Sequence, residues 1–204
     1  MAGPRPQTHA RRALRLLERR PVVRTREFEA QGIPRMVLSR LVERGRAERV
    51  GRGLYALAGR EPPAHADLIV VARRVPKAAV CLLSALSFHG IGTRVPAEVW
   101  ILIAGKAWRP RLEHPPLQVV RCSAALLAVG VDVHRIEGVP VRLTSPARTV
   151  ADCFKYRSRV GLDVALEALR KGWRARRFDV EELLEMARAC RVERVLRPYL
   201  EAIT

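Results

Sequence analysis

Proline and glycine divide residues 1–60 into short segments, and this division limits the folds that the chain can adopt. Apolar residues recur at helical spacing over 9–19, and Pro21 ends that pattern. Two further segments with helical spacing cover 26–30 and 34–44. We therefore predict three short helices separated by breaks.

A tight turn joins the second predicted helix to the third. Gly32 favours the left-handed conformation that ends a helix, and Pro34 suits the first turn of the next one. Two β-prone runs follow, and Gly51-Arg52 between them suits a type II′ hairpin turn. Three helices followed by a hairpin predict a winged helix-turn-helix, whose third helix would lie in the major groove of DNA.

The basic charge of the chain is concentrated in the same region. Residues 1–60 hold fifteen arginines, no lysine and five glutamates, so they carry +10 of the net charge of +18. A general bias toward arginine would spread evenly along the chain, whereas this asymmetry indicates a polyanionic partner. Nucleic acid is the polyanion that a basic helix-turn-helix fits best.

Eight side chains of the third helix, the following turn and the hairpin are expected to contact DNA. Arg35 is placed to bond the edge of a guanine, and Ser39 would read bases less selectively. The other arginines would hold phosphates or, on the hairpin, reach a flanking minor groove. The eight residues are Arg35, Met36, Ser39, Arg40, Arg44, Arg46, Arg49 and Arg52. Two other interpretations remain open: the arginines only solvate a small helical domain, or the domain binds protein.

Residues 61–204 have the pattern of an α+β domain behind a short linker at Glu61-Pro62-Pro63. The β-prone runs are 99–103, 117–121, 131–136 and 139–143. Helices are predicted over 65–74, 78–90, 146–156, 161–171, 179–190 and 192–203. The predicted class is therefore α+β, with a winged helix-turn-helix in 1–60. The α+β domain in 61–204 would have a small β-sheet and a helical C-terminal end.

Two residues in this second region bear on its details. Pro140 lacks an amide hydrogen, so its strand is predicted at a sheet edge or a bulge. Gly172 is predicted to end the helix over 161–171, which would leave a basic turn after it. A partner protein or a second stretch of DNA would contact this turn through Lys171, Trp173, Arg174, Arg176 and Arg177. A solvated loop is the alternative interpretation.

The sequence holds no familiar arrangement of catalytic or metal-binding residues. The four cysteines are widely separated and form no C-x-x-C pair, and the five histidines are scattered. We expect free buried thiols, no metal site, no cofactor and no enzymatic activity. Arg148 and Asp152 are one helical turn apart, and we expect them to pair across that turn. A binding role for these two residues and Thr149 stays open.

Membrane insertion is not expected either. No run approaches the roughly 18 apolar residues of a membrane-spanning helix, and the N-terminus lacks the apolar stretch of a signal peptide. The expected location is the cytoplasm.

Three motifs resemble the antitoxin of AbiE-type (type IV) toxin–antitoxin systems. They are the arginine-rich region that ends at 52–57, the apolar helix at 82–90 and the segment 143–153. The resemblance implies a transcriptional repressor that binds inverted repeats in its own operon. It also implies that the C-terminal domain counters a nucleotidyltransferase-like toxin, and that the third helix and hairpin contact DNA.

Two functions of other classes remain as alternatives. A helix start like that at 144–149 also occurs in related proteins that carry an endonuclease domain, although the carboxylate spacing of that nuclease is missing here. The chain would then be a nucleic-acid-processing protein with a winged-helix targeting domain. Alternatively, it would be an interaction module that masks a toxin without touching DNA.

Overall fold

The computed structural model describes residues 8–61 and 63–203. Pro62 of the predicted linker and the outer ends of the two predicted domains lie outside the described residues. Within 8–61, three helices accompany a three-stranded antiparallel sheet. The elements are α1 (His9–Arg19), β1 (Val23–Arg24), α2 (Thr25–Glu29), α3 (Arg35–Glu43), β2 (Ala47–Gly51) and β3 (Leu54–Leu57). The three predicted helices are confirmed, whereas β1, which forms an edge of the sheet beside β3, is not in the prediction.

Apolar side chains from the three helices meet in one cluster. Ala13 and Leu17 of α1, Phe28 of α2 and Leu38 of α3 are each at most 1% exposed. Burial of this side fixes the orientation of α3, so its opposite side faces solvent.

The hairpin turn differs from the prediction. Its turn residues are Arg52 and Gly53, and the positive φ of 71° belongs to Gly53 rather than Gly51. Gly51 continues β2 and pairs with Leu54 beside an irregularity in the register. The carbonyl of Gly53 accepts a hydrogen bond of 3.0 Å from the amide of Thr25, which ties the turn to the start of α2. The predicted type II′ turn is therefore wrong, although Arg52 still lies at the tip.

Residues 63–203 form a five-stranded mixed sheet with helices on both faces. The strands are β4 (Ala79–Val80), β5 (Val99–Ala104), β6 (Leu117–Cys122), β7 (Val131–Ile136) and β8 (Val139–Thr144). Their order is β6-β5-β4-β8-β7, with parallel pairs β5–β6 and β4–β8. The helices are α4 (Ala66–Arg74), α5 (Leu82–His89), α6 (Pro146–Lys155), α7 (Arg157–Val160), α8 (Leu162–Arg174), α9 (Val180–Cys190) and α10 (Glu193–Glu201). The predicted α+β class is confirmed.

Alternate residues of β5 face two different layers. Trp100 and Leu102 pack in a cluster with α6 to α10. Val99, Ile101 and Ile103 pack on the other face, with α4 and the N-terminal part of the chain. The sheet is therefore the middle of three layers.

An apolar cluster joins the N-terminal part to this sheet, and we call it the junction cluster. Val22 and Leu54 are 4% and 2% exposed within it. Its buried members are Val22, Leu54, Leu68, Ile69, Val70, Val71, Ala78, Val80, Ala85, Val99, Ile101, Ile103, Val139, Val141 and Leu143. Glu27 adds ion pairs at the same boundary, to Arg20 at 2.7 Å and to Arg73 of α4 at 3.1 Å. The two parts are therefore in direct contact. The predicted domain boundary between Arg60 and Glu61 stays a prediction.

The predicted helix over 78–90 begins later than expected. Ala79 and Val80 form β4 in the middle of the sheet, between β5 and β8, and the helix starts only at Leu82. The sequence is apolar on both sides of this break. Pairing with distant strands, which leaves no local signal, therefore decides where the strand ends and the helix begins.

Pro140 lies on an interior strand, so the predicted edge position is wrong. On its inner side β8 pairs with β4 at Leu143, and β4 consists of Ala79 and Val80 alone. Pro140 precedes that contact along the strand. Its missing amide hydrogen therefore removes no bond between the two strands.

Gly172 lies inside α8 rather than at its end, which corrects the predicted cap. A Cβ atom there would overlap Cε1 of Phe178, so the glycine lets this ring pack against the helix. The helix continues to Arg174. The predicted basic turn over 171–177 is therefore helical in its first half.

Arg148 and Asp152 form the predicted pair across one turn of α6, and the pair is buried. The side chains are 0% and 1% exposed, and Nε of Arg148 donates to Oδ2 of Asp152 over 3.0 Å. Nη1 of Arg148 also donates to the carbonyls of Leu126 and Val129, at 3.0 and 2.7 Å. Burial raises the pKa of the Asp152 carboxyl, and the attraction of Arg148 opposes that shift. The guanidinium thus anchors the segment between β6 and β7 to α6.

We expect Arg148→Ala to lower the free energy of unfolding by about 3–5 kcal/mol, because it leaves Asp152 buried without its partner. Arg197→Ala is a matched control, since Arg197 pairs with Glu193 at the same spacing but is 50% exposed. That control should lose only about 0.5 kcal/mol or less. Urea unfolding measures both losses, and equal losses would show that burial of the pair is irrelevant to its strength.

Candidate nucleic-acid interface

The solvent-exposed face of α3 carries four of the eight residues predicted to contact DNA. Arg35, Met36, Ser39 and Arg40 are all exposed, whereas Leu38 is buried on the opposite face. Helical spacing places the four exposed residues in one stripe. The structure therefore brings together the side chains that the sequence predicted for this helix.

The remaining four predicted contacts continue from the end of α3 onto the hairpin. Arg44 follows the last residue of α3, Arg46 lies in the next turn, and Arg49 and Arg52 lie on β2 and at the hairpin tip. All four side chains are exposed. Their contact with DNA stays a prediction, but each is accessible to a phosphate.

Arg35 makes an ion pair inside the N-terminal part. Its Nε donates to Oε1 of Glu29 in α2, and the two side chains are 75% and 41% exposed. This hydrogen bond raises the pKa of the Arg35 guanidinium. The bond occupies Nε and leaves the fork of Nη1 and Nη2 as the donors for a guanine edge. Solvent screens an exposed pair of this kind, so it restrains the guanidinium without locking it.

The basic segment over 171–177, at the C-terminal end of α8, borders a cavity of about 1090 Å³. Four of the five predicted residues line it: Trp173, Arg174, Arg176 and Arg177. Lys171 is not among the lining residues, and it pairs with Glu167 over 2.8 Å. Arg177 donates to the carbonyl of His89 at 3.0 Å, and Trp173 is half-buried against the helical cluster. Arg174 and Arg176 are thus the most available cations of this group.

A second concave surface lies between the hairpin and the C-terminal part, and the prediction does not include it. We call it the hairpin cleft; its volume is about 610 Å³. Its arginines are Arg49, Arg52, Arg74, Arg109 and Arg111. The sequence carries one signal of it, a tryptophan among basic residues in the loop over 105–116, between two β-prone runs.

The residues considered for chemistry lie in the core. Arg148, Thr149 and Asp152 are each at most 1% exposed, and the four cysteines are buried free thiols. Among the described residues, no three or more histidines, cysteines or carboxylates lie together as a metal site requires. None of the helices in the described ranges has the length and apolar character to cross a membrane.

Comparison with known proteins connects the N-terminal part to a class of regulators. Residues 11–58 match the family model described as "Transcriptional regulator, AbiEi antitoxin". The match begins within α1 and extends through β3, and it confirms the AbiEi-like resemblance over this segment. No curated protein matches the chain.

A solved structure shares the fold of the whole chain. The crystal structure of the RV2827C protein from Mycobacterium tuberculosis is similar with a TM-score of 0.63 at 15% sequence identity. The similarity covers 100% of this chain and 84% of that chain. At this identity it supports the α+β architecture alone.

Proposed function

We propose that this chain is a cytoplasmic, sequence-specific DNA-binding regulator of the AbiEi antitoxin type. In this proposal, α2 and α3 form the helix-turn-helix of a winged-helix domain, and the β2–β3 hairpin is its wing. The observation that carries the proposal is the exposed arginine surface on α3 and the hairpin, within a segment that matches a transcriptional regulator family. The resemblance adds repression of its own operon through inverted repeats.

In the proposed docking, some residues contact bases and others contact phosphates. α3 enters the major groove, where Arg35 and Ser39 meet base edges and Met36 meets an apolar group such as the thymine methyl. The arginines beyond them hold phosphates, which supply affinity without sequence information.

We also propose that the protein acts by binding rather than by catalysis. Arg148 and Asp152, the pair most suggestive of chemistry, are enclosed in the core and bonded to each other. The bonds of Arg148 to the segment between β6 and β7 give the pair a structural role that requires no substrate.

A mobility-shift assay on DNA from upstream of the gene tests the regulator. If about five phosphates are neutralised, log K should fall with log salt at a slope of roughly −4 to −5. A shift that does not respond to salt, or no shift at all, would rule out this mode of DNA binding.

Two variants separate base reading from phosphate contact. Arg35→Ala should reduce discrimination between the specific and unrelated sequences by about 1–3 kcal/mol, because it removes a base contact. Arg52→Ala should weaken binding to all sequences alike, because a phosphate contact carries no sequence information. Binding constants on both DNAs measure this, and identical behaviour of the two variants would contradict the assignment.

We further propose that the C-terminal part counters a nucleotidyltransferase-like toxin, directly or functionally, through the cavity beside α8. Exposed arginines next to a half-buried tryptophan are a composition common at protein interfaces.

Growth rescue tests the toxin interaction, provided that a nucleotidyltransferase-like reading frame adjoins the gene. Co-expression of the full chain should restore growth, and Arg174→Glu with Arg176→Glu should abolish rescue but retain the DNA shift. The same reversals at Arg194 and Arg197, which are exposed on α10, serve as the control. Full rescue by the first variant would exclude this cavity as the docking site.

A further inference from the structure

The loop between β5 and β6 carries an exposed tryptophan. Trp108 is 94% exposed, although large apolar side chains in the described chain are mostly buried. Lys106, Arg109 and Arg111 surround it in sequence, and all three are exposed. This loop belongs neither to the proposed α3 contacts nor to the cavity beside α8.

The loop shares the hairpin cleft with the proposed wing. Arg49 and Arg52 line the cleft from the hairpin, and Arg109 and Arg111 line it from the loop. Among the described lining residues, these and Arg74 face a single carboxylate, that of Glu113. The cleft is therefore strongly basic, and its cations come from segments that are far apart in sequence.

Hydrogen bonds hold both walls of the cleft in position. Nη1 of Arg74 donates to the carbonyl of Arg52 at 3.4 Å, which connects α4 to the hairpin tip. Nη1 of Arg121 donates to the carbonyls of Gly105 and Ala107, each at 2.7 Å. The backbone immediately before Trp108 is thus fixed, so the indole is displayed from an anchored loop.

We propose that residues 106–111 are a second arm of the DNA-binding surface. Arg109 and Arg111 hold phosphates on the flank reached by the hairpin, and Trp108 packs against sugars and base edges in the adjoining groove. Guanidinium groups bind phosphate through a planar fork, and proteins use apolar side chains as wedges in the minor groove. The basic cleft and its continuity with the hairpin favour DNA over a protein partner. The inference rests on the proposed function.

Quantitative binding and footprinting of the full chain on DNA from upstream of its gene test this arm. Arg109→Ala with Arg111→Ala should reduce the magnitude of the salt slope by about 2 and weaken binding on the order of tenfold. The protected region should shorten on the hairpin side. Arg194→Ala with Arg197→Ala removes the same charge from α10 and should leave slope and footprint unchanged.

Trp108 is tested separately by fluorescence. Trp100 is 9% exposed and Trp173 is half-buried, so Trp108 is the most accessible of the three tryptophans. DNA should quench the emission of the wild type, and Trp108→Phe should remove most of that change. Trp108→Ala should weaken binding by about 2- to 10-fold. Thermal unfolding confirms that each variant remains folded.

The outcomes separate this inference from the proposed function. If the wild type binds DNA but the loop variants keep its slope, footprint and affinity, the arm is excluded and the regulator stands. If the wild type binds no DNA, both fail. If the loop variants bind DNA normally and lose only growth rescue, the loop contacts protein, and the DNA arm is overturned.

Discussion

Glu27 connects the two parts of the chain, and the position of the hairpin depends on that connection. Its Oε2 accepts a hydrogen bond of 2.9 Å from the backbone amide of Arg24, at the start of α2. The same oxygen forms an ion pair of 3.1 Å with Arg73 of α4. One carboxylate therefore caps a helix of the N-terminal part and bonds a helix of the C-terminal part. Val22 and Leu54 add apolar burial at the same boundary, worth about 1.5–3 kcal/mol for each fully buried side chain. The hairpin and the loop over 105–116 consequently keep a fixed relation.

The arginines of the C-terminal part show that net charge alone overstates phosphate contact. Arg142 and Arg148 hold the segment between β6 and β7, by bonds to the carbonyls of Leu127 and Leu126 at 3.2 and 3.0 Å. Arg121 holds the loop before Trp108 in the same way. A guanidinium has five donors in a planar fork and can bind two carbonyls at once, whereas an ammonium is a compact point charge. These three arginines therefore hold loops in place, and fewer of the basic residues are free to contact a partner.

Local signals allowed the helices and the α3 surface to be predicted, and non-local contacts explain the errors. The side chain of Ser145 accepts a hydrogen bond from the amide of Arg148, and that of Asp179 accepts one from the amide of Glu182. Both helices therefore begin at capping residues that the local sequence reveals. The short strand β4 exists because distant strands pair with it. Gly172 leaves room for the ring of Phe178 and does not end a helix. The hairpin cleft likewise depends on packing between segments that are far apart in sequence, which periodicity cannot reveal.

The composition of α3 constrains how the proposed regulator could recognise a sequence. Its exposed stripe offers one guanidinium for a guanine edge, on Arg35, and one weakly discriminating hydroxyl, on Ser39. Met36 is 61% exposed and has an apolar surface that matches a thymine methyl better than any hydrogen-bonding edge. A single helix with so few base readers distinguishes only a short sequence. The second half-site of the proposed inverted repeat and the shape of the DNA would supply the remaining discrimination.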